Sequence, residues 1–364
     1  MLPYWLLFIV LALGSLAYRP KLQLAQVRVS TTDHRVRDDL PLVFMLAAIT
    51  LMIGLRYRVG GDWNVYLQTF RSITQKSLFS ALQDTPDEAA YTLINWLVAR
   101  AGLSFWAVNL ICAIPFVAGL TAISRQQPNP WLALLVATPQ LIIVVGMGYT
   151  RQAAATGFML IGIAGLARGR SFIWFVGWTL AASAFHTSAI AFIPIVAAFQ
   201  FRATLLWVLL VLIVIFVGYY FILPLVINRY SVGYIQNIYE AKGAMFRILP
   251  NVIAGMFLLL FRRYFVVNDA QFRIWRSLSW LSFALFIAFF YIRSSVIVDR
   301  ISLYILPLQI FVLSRIPTAF SSDAMARAVL TLLITFCSAL VLFFWLTYAN
   351  NARFWIPYEL YPLS

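Results

Sequence analysis

Hydrophobic residues run in long, nearly charge-free blocks along this chain, and the polar residues between them come in short bursts rich in arginine. Blocks of that length exceed what a buried strand needs, and about 20 apolar residues let a helix cross the hydrocarbon of a bilayer. The pattern predicts about twelve crossings, at 2–18, 41–55, 104–123, 131–148, 152–167, 171–185, 187–200, 203–226, 248–261, 277–292, 301–314 and 328–348. The stretch 171–200 reads as a hairpin of two short helices turning at His186, because a titratable side chain is costly at mid-bilayer and tolerable at a turn facing water. One long tilted helix fits the hydropathy of that stretch about as well.

Composition agrees: 63% hydrophobic residues, 11% charged residues and a mean hydropathy of +0.87 exclude a soluble globule. The expectation is a single all-α polytopic membrane domain over residues 1–364, with outer loops 56–103 and 228–250 forming its functional face. The first loop carries Arg19, Lys21, Arg28, Arg35 and Arg37, which puts it on the cytoplasmic side and the N-terminus outside. Alternating from there, inner loops hold 15 of the 27 lysines and arginines, among them Arg168, Arg170, Arg262, Arg263, Arg273 and Arg276. An outer face that keeps the remaining 12 basic residues is unusual and suggests an anionic ligand. Three lysines stand against 24 arginines. That ratio favours the planar fork that grips phosphate at two points, although a genome that writes arginine for lysine would give it too.

Charge and motif exclude several classes. The net charge of +15 is spread over helix ends without a basic tail or domain, so no nucleic acid partner is expected. No glycine-rich lysine loop or dinucleotide fingerprint is present, which argues against ATP hydrolysis and a Rossmann-bound sugar nucleotide. The two histidines lie far apart and Asp87 and Glu88 are adjacent, so neither a metal site nor another cofactor is expected. Cys112 and Cys337 sit inside apolar runs and read as core residues. The first apolar run lacks a small-residue cleavage pattern behind a basic start and reads as a retained helix.

The chemistry concentrates in RYRVGGDWNVY, Arg56 to Tyr66, which emerges abruptly from an apolar run. Gly60 and Gly61 allow a sharp turn there and bring amide groups near a phosphate. Asp84-Thr85-Pro86-Asp87-Glu88 reads as a helix start capped by Thr or Asp, followed by an amphipathic segment with Tyr91, Ile94, Leu97 and Val98 on one side that lies along the outer surface. The loop from Asn228 to Pro250 is rich in Tyr and Asn (Tyr230, Tyr234, Tyr239, Asn228, Asn237), a composition that suits glycan contact and equally a plain interfacial helix.

Together with Asp87-Glu88-Ala89-Ala90-Tyr91, TRQAAA (Thr150–Ala155), FHTSAI (Phe185–Ile190) and DRISLY (Asp299–Tyr304), this loop resembles the EpsG-type, Wzy-like polysaccharide polymerases. Trp63 stands where that family commonly has Tyr, and Gly61 where it has Thr or Ser. The resemblance implies a multi-pass enzyme of the bacterial inner membrane, similar in architecture to the GT-C-like lipid-dependent glycosyltransferases. It would act on the outer face, joining undecaprenyl-pyrophosphate-linked oligosaccharides into an exopolysaccharide, capsule or O-antigen chain. A flippase and a chain-length regulator of the same pathway would be its partners, besides the lipid bilayer.

Glycosyl transfer from a lipid pyrophosphate has a good leaving group and needs chiefly charge stabilisation there, which Arg56, Arg58, Arg151 and Arg300 are placed to supply. A base for the attacking hydroxyl comes from His186, Asp62 or Glu88, with His186 first because its neutral form is available near pH 7. Tyr57, Trp63 and Tyr66 suit sugar faces, and Asp299 completes the glycan contacts. Each residue also has a plainer reading: His186 as a helix cap, Asp62 as an ion-pair partner of Arg56 or Arg58, the aromatics as an interfacial belt, and Asp299 with Arg300 as a buried pair. Two other functions remain open: a ligase or polyprenyl-phosphate-sugar transferase on the same face, and a non-enzymatic flippase. The charges collect at one face and the two halves do not align, unlike a carrier.

Overall fold

The computed structural model describes residues 1–18, 40–85, 88–200, 243–291 and 295–363. The predicted span 203–226, the first basic loop, Asp87 and the Tyr/Asn-rich stretch 228–242 lie outside them.

Each other predicted span is occupied by a helix. In chain order these are α1 (Leu2–Ala17), α2 (Leu40–Gly54), α6 (Phe105–Ser124), α7 (Pro130–Ala137), α8 (Thr150–Ala167), α9 (Phe172–Ser183), α10 (Phe192–Gln200), α11 (Ala244–Leu260), α12 (Asp269–Tyr291), α13 (Ser295–Leu303), α14 (Pro307–Phe320) and α15 (Ala324–Tyr348). Three short helices, α3 (Trp63–Thr74), α4 (Leu78–Asp84) and α5 (Ala89–Arg100), lie between α2 and α6. The chain is a multi-pass, all-α membrane protein. Among the described residues, 105–124, 271–291, 298–320 and 324–348 are long and apolar enough to cross a membrane alone, and several other apolar helices are shorter.

Side-chain and backbone hydrogen bonds between distant segments tie the helix ends together. At one end Tyr4 donates to the Trp355 carbonyl at 2.7 Å, the Tyr361 amide to Leu55 O at 2.8 Å, and the Ala90 amide to Ala184 O at 3.0 Å. At the other, Asn129 Nδ2 donates to Ser15 O at 2.8 Å, and Arg315 reaches Gln127 Oε1 and the Gln126 carbonyl at 2.9 and 3.0 Å. The closest helix pair is α6 with α8. A Cβ added at Gly119 or Gly157 would fall 2.1 Å from a backbone carbonyl oxygen of the facing helix, so the backbones touch. That contact brings Asn109 and Thr150 within one hydrogen bond of each other, at 3.2 Å.

Two features are invisible to hydropathy. The run after α7 winds as a π-helix over Thr138–Gly146, a form often found at functional sites. The segment after α15 returns over the same end of the bundle: β2 (Glu359–Leu360) pairs antiparallel with β1 (Arg56–Tyr57), Arg56 opposite Leu360 and Tyr57 opposite Glu359. Trp355 locks this strap down, its indole donating to the π-helix carbonyl of Ile143 at 2.9 Å. Tyr358 adds a bond to Met52 O at 2.7 Å.

Three local expectations are corrected. Cys112 is buried but Cys337 is exposed on α15, so only the first is a core residue. The cap of α5 is Glu88, not Thr85 or an Asp, and its side chain makes no capping bond because it is used elsewhere. The buried side of α5 is Tyr91, Thr92, Asn95 and Val98, whereas Leu97 is 51% exposed.

Candidate active site

The Arg56–Trp63 loop turns because its glycines are not equivalent. Gly60 has φ 109°, and a Cβ there would sit 2.7 Å from the Met147 carbonyl oxygen, so only glycine fits. Its amide donates to Phe354 O of the strap at 2.9 Å. Arg58 also takes a positive φ, 53°, uncommon for a side-chain-bearing residue and often found at functional sites. Its guanidinium is exposed and lies 5.1 Å from the Tyr57 ring centroid.

Arg56, by contrast, is 2% exposed. Its donors go to Val59 O at 3.3 Å, Ile53 O at 2.5 Å, Asn109 Oδ1 at 3.2 Å and Thr150 Oγ1 at 2.6 Å. All four partners are neutral, and burial pushes the guanidinium down to about 10, still charged at physiological pH. Arg56 therefore joins the loop to α6 and α8 from inside.

Glu88 is the hub of the residues around it. One carboxylate oxygen accepts from Arg151 Nη1 at 2.8 Å, and the other accepts from the Thr187 amide at 3.1 Å. Thr187 follows His186, which interrupts the apolar stretch 171–200 as the sequence suggests: α9 stops at Ser183 and a 3₁₀ turn, Thr187–Ala191, begins after His186. Glu88 thus links the start of α5, the start of α8 and the break before α10. The Arg151 guanidinium also stands 5.6 Å from the Tyr66 ring centroid and 5.9 Å from that of Tyr91.

His186 Nδ1 is 2.7 Å from Ser188 Oγ, and Ser188 in turn donates to Tyr304 OH at 3.4 Å. Burial holds the imidazole well below its ordinary range, down to about 4, despite the opposing influence of the Glu88 carboxylate; Arg300 and Arg151 add to the lowering. Asp62, the residue before α3, is raised by burial and partly held down by Arg300 and Arg151. Asp62, Arg151, Arg300, His186 and Glu88 therefore share one electrostatic neighbourhood.

Asp299 is paired, though not with its neighbour: its carboxylate accepts from Arg247 Nε of α11. The Arg300 carbonyl is fixed by Gln152 Nε2 at 2.9 Å, which ties α13 to α8 beside Arg151. Tyr57, Trp63 and Tyr66 act mainly on one another and on the core. Trp63 is 8% exposed and packs edge-on to Tyr57 and Phe105 with centroids 5.8 and 5.1 Å apart, and Tyr66 is 4% exposed. Among the described residues no group of three or more His, Cys, Asp or Glu comes together as a metal site.

The sequence put Arg247, Arg353 and Glu359 at the outer face, Ser188 beside His186 and Tyr304 in a motif, but gave none of them its partner and did not foresee the pairing of the strap with β1. The dense aromatics and prolines from Phe354 to Pro362 were the available signal for the strap.

A family model described as the EpsG family matches residues 40–360. The match takes in every residue of this neighbourhood, and the chain belongs to that family, one of polysaccharide polymerases. No curated protein and no solved structure matches it.

Proposed function

We propose that this EpsG-family chain joins undecaprenyl-pyrophosphate-linked oligosaccharide repeat units into an exopolysaccharide, capsule or O-antigen chain, working at the end of the bundle that carries Arg58, Arg151 and His186. That end faces the periplasm or exterior of the bacterial inner membrane, residues 1–364 act as one transmembrane domain, and a flippase and a chain-length regulator of the pathway serve it. The observation that carries the reading is the Glu88 bridge, which gathers an arginine, a histidine turn and a helix start from distant segments onto one carboxylate.

In this reading Arg58, Arg151 and Arg300 receive the pyrophosphate of the growing chain and stabilise the charge that develops as it leaves. Arg56 serves the clamp from behind by holding the loop that carries Arg58. The hydroxyl of the incoming repeat unit attacks the anomeric carbon, its proton passes to a base, and undecaprenyl pyrophosphate departs.

His186 is the base. In this reading Nδ1–H donates to Ser188 Oγ, 2.7 Å away, and the lone pair on Nε2 is left for the substrate hydroxyl. A burial-lowered imidazole stays neutral at physiological pH, with its lone pair available, and Asp62, whose basicity burial raises, is the alternative base. Glu88 holds Arg151 and the histidine turn at a fixed separation. Half-buried Tyr57 is the aromatic that meets the glycan, while Trp63, Tyr66 and Asp299, buried behind it, shape the wall of its path.

The test is incubation of purified protein in nanodiscs with its host's lipid-linked repeat unit, followed by a gel for glycan length. Wild type should give a ladder, absent from Arg151→Ala and His186→Ala. Movement of the lipid-linked unit across the bilayer with no ladder would replace the polymerase by a carrier.

A further inference from the structure

At the end of the bundle opposite the candidate active site, an open cavity of about 450 Å³ lies between the end of α11 and the start of α12. Its lining is Leu260, Arg262, Arg263, Phe265, Val267 and Phe272. We propose that this cavity binds the phosphate headgroup of an anionic membrane phospholipid, with the guanidinia on the phosphate and the apolar wall against the glycerol and upper acyl chain.

The charge balance comes first. Arg262 and Arg263 are exposed, and α12 adds Arg273 and Arg276 within its first turns. The Arg273 Nε is buried with no hydrogen-bond partner. Among the described residues, the carboxylates at this end are Asp269 and Asp323. Asp323 caps α15 through the Ala326 amide at 2.7 Å, and Asp269 forms no ion pair among the described residues. Among the described residues, the ion pairs Lys76–Asp84, Arg151–Glu88 and Arg247–Asp299 all lie elsewhere.

The guanidinia are instead held by rings. Arg262 stands 4.0 Å from the Phe272 centroid and Arg276 5.8 Å from the same ring, while Arg263 lies 4.9 Å from Tyr264 and donates to its hydroxyl at 3.0 Å. A ring face holds a guanidinium through its charge but takes none of its N–H donors, which leaves the fork for an oxyanion. The wall selects among anions. Leu260 is 69% exposed and Val266, beside the cavity, 82% exposed, surfaces that a free phosphate leaves wet and an amphiphile covers.

Native mass spectrometry of the full chain, released from neutral detergent carrying dioleoylphosphatidylglycerol or dioleoylphosphatidylcholine, reads this directly. Wild type should retain phosphatidylglycerol about ten-fold more strongly than phosphatidylcholine. The pair Arg262→Ala/Arg263→Ala should lose most of that preference, Arg262→Lys/Arg263→Lys part of it, and Arg168→Ala/Arg170→Ala, exposed at the same end, none. Equal loss in the two alanine pairs would show only a diffuse basic surface and overturn the proposal. So would a wild type without headgroup preference, or one whose lipid is displaced as readily by millimolar inorganic phosphate. Polymerisation plays no part in this readout, so its failure leaves the proposed function standing.

Discussion

The two ends of the bundle both collect arginines, and they treat them differently. At the candidate active site three arginines are bound into the protein, Arg151 on Glu88, Arg247 on Asp299, and Arg56 on four neutral acceptors, while Arg58 stays exposed over the Tyr57 ring. At the far end Arg262, Arg263 and Arg276 rest on aromatic rings without a carboxylate. Paired, buried charges hold a fixed shape, as a reaction that stabilises developing charge requires. Ring-stacked, exposed charges hold only a direction, which suffices for a lipid headgroup. The contrast explains why a count of basic residues per side says little about this chain.

The sharpest way to break the comparison is to remove its most buried arginine. Arg56→Leu leaves the acceptors on Ile53, Val59, Asn109 and Thr150 short of donors and should cost about 3 kcal/mol or more, with polymerisation lost. Arg56→Lys keeps the charge but not the fork and should recover only part of that. Gly60→Ala belongs in the same class, since a positive φ and a Cβ 2.7 Å from the Met147 carbonyl together cost about 2–4 kcal/mol. Thermal unfolding in detergent reads all three; an Arg56→Lys protein as stable and active as wild type would mean the inner bonds of Arg56 do not hold the loop.

Much of the scaffold behind these residues was legible in the sequence, because helix position follows from apolar runs that need no knowledge of neighbours. The run 104–123 is α6 within one residue at each end, and the polar break at His186 is a true helix break. Partnerships were not legible. Asp299 sits beside Arg300 in the chain yet pairs with Arg247, because helical spacing sends adjacent side chains in different directions. Arg56 and Arg58, two residues apart, would share a face if the strand continued, but β1 ends at Tyr57 and Arg58 takes a positive φ, so one is buried and the other exposed. The strap had no apolar pattern to announce it, and its grip on β1 is a backbone pairing that any sequence without proline at those two positions could make.

Next in size is the Glu88 bridge. Glu88→Gln keeps an acceptor for Thr187 but releases Arg151, and a displacement near 1 Å at such a group costs roughly a hundred-fold in rate. The expected signature is a fall in kcat with a stability change under about 2 kcal/mol, since both partners are partly exposed. A fall confined to KM would make Arg151 a contact for ground-state binding alone.

His186 supplies a pH test of the same end. Its folded-state pKa lies below its unfolded value of 6.5, so between 6.5 and about 4 the unfolded chain holds the proton more tightly. Stability from this group is complete above 6.5 and falls as the pH drops towards 4, by about 3 kcal/mol at most. His186→Gln should flatten the stability curve over that window. An unchanged slope would mean that His186 does not carry the acid sensitivity of this end. At the far end the comparison predicts little, and Arg262→Ala with Arg263→Ala should shift stability by under about 1 kcal/mol, because exposed, unpaired guanidinia contribute little to folding.

The smallest expected effect lies one residue from one of the largest. Gly61 adjoins Gly60, and the resemblance to the polymerases puts Thr or Ser at its position. Its φ is not in the left-handed region, and an added Cβ would meet only Phe354 Cδ2, at 3.8 Å, an ordinary contact with a ring of the strap. Gly61→Ala should therefore lie within about 0.5 kcal/mol of wild type and, by restricting the unfolded chain, tend towards stabilisation. Gly61→Ser should keep full ladder length in the gel. Were Gly61→Ala as damaging as Gly60→Ala, the loop would need both glycines for close approach of a ligand, and its open side, rather than the buried side held by Arg56, would be what the pair is built to serve.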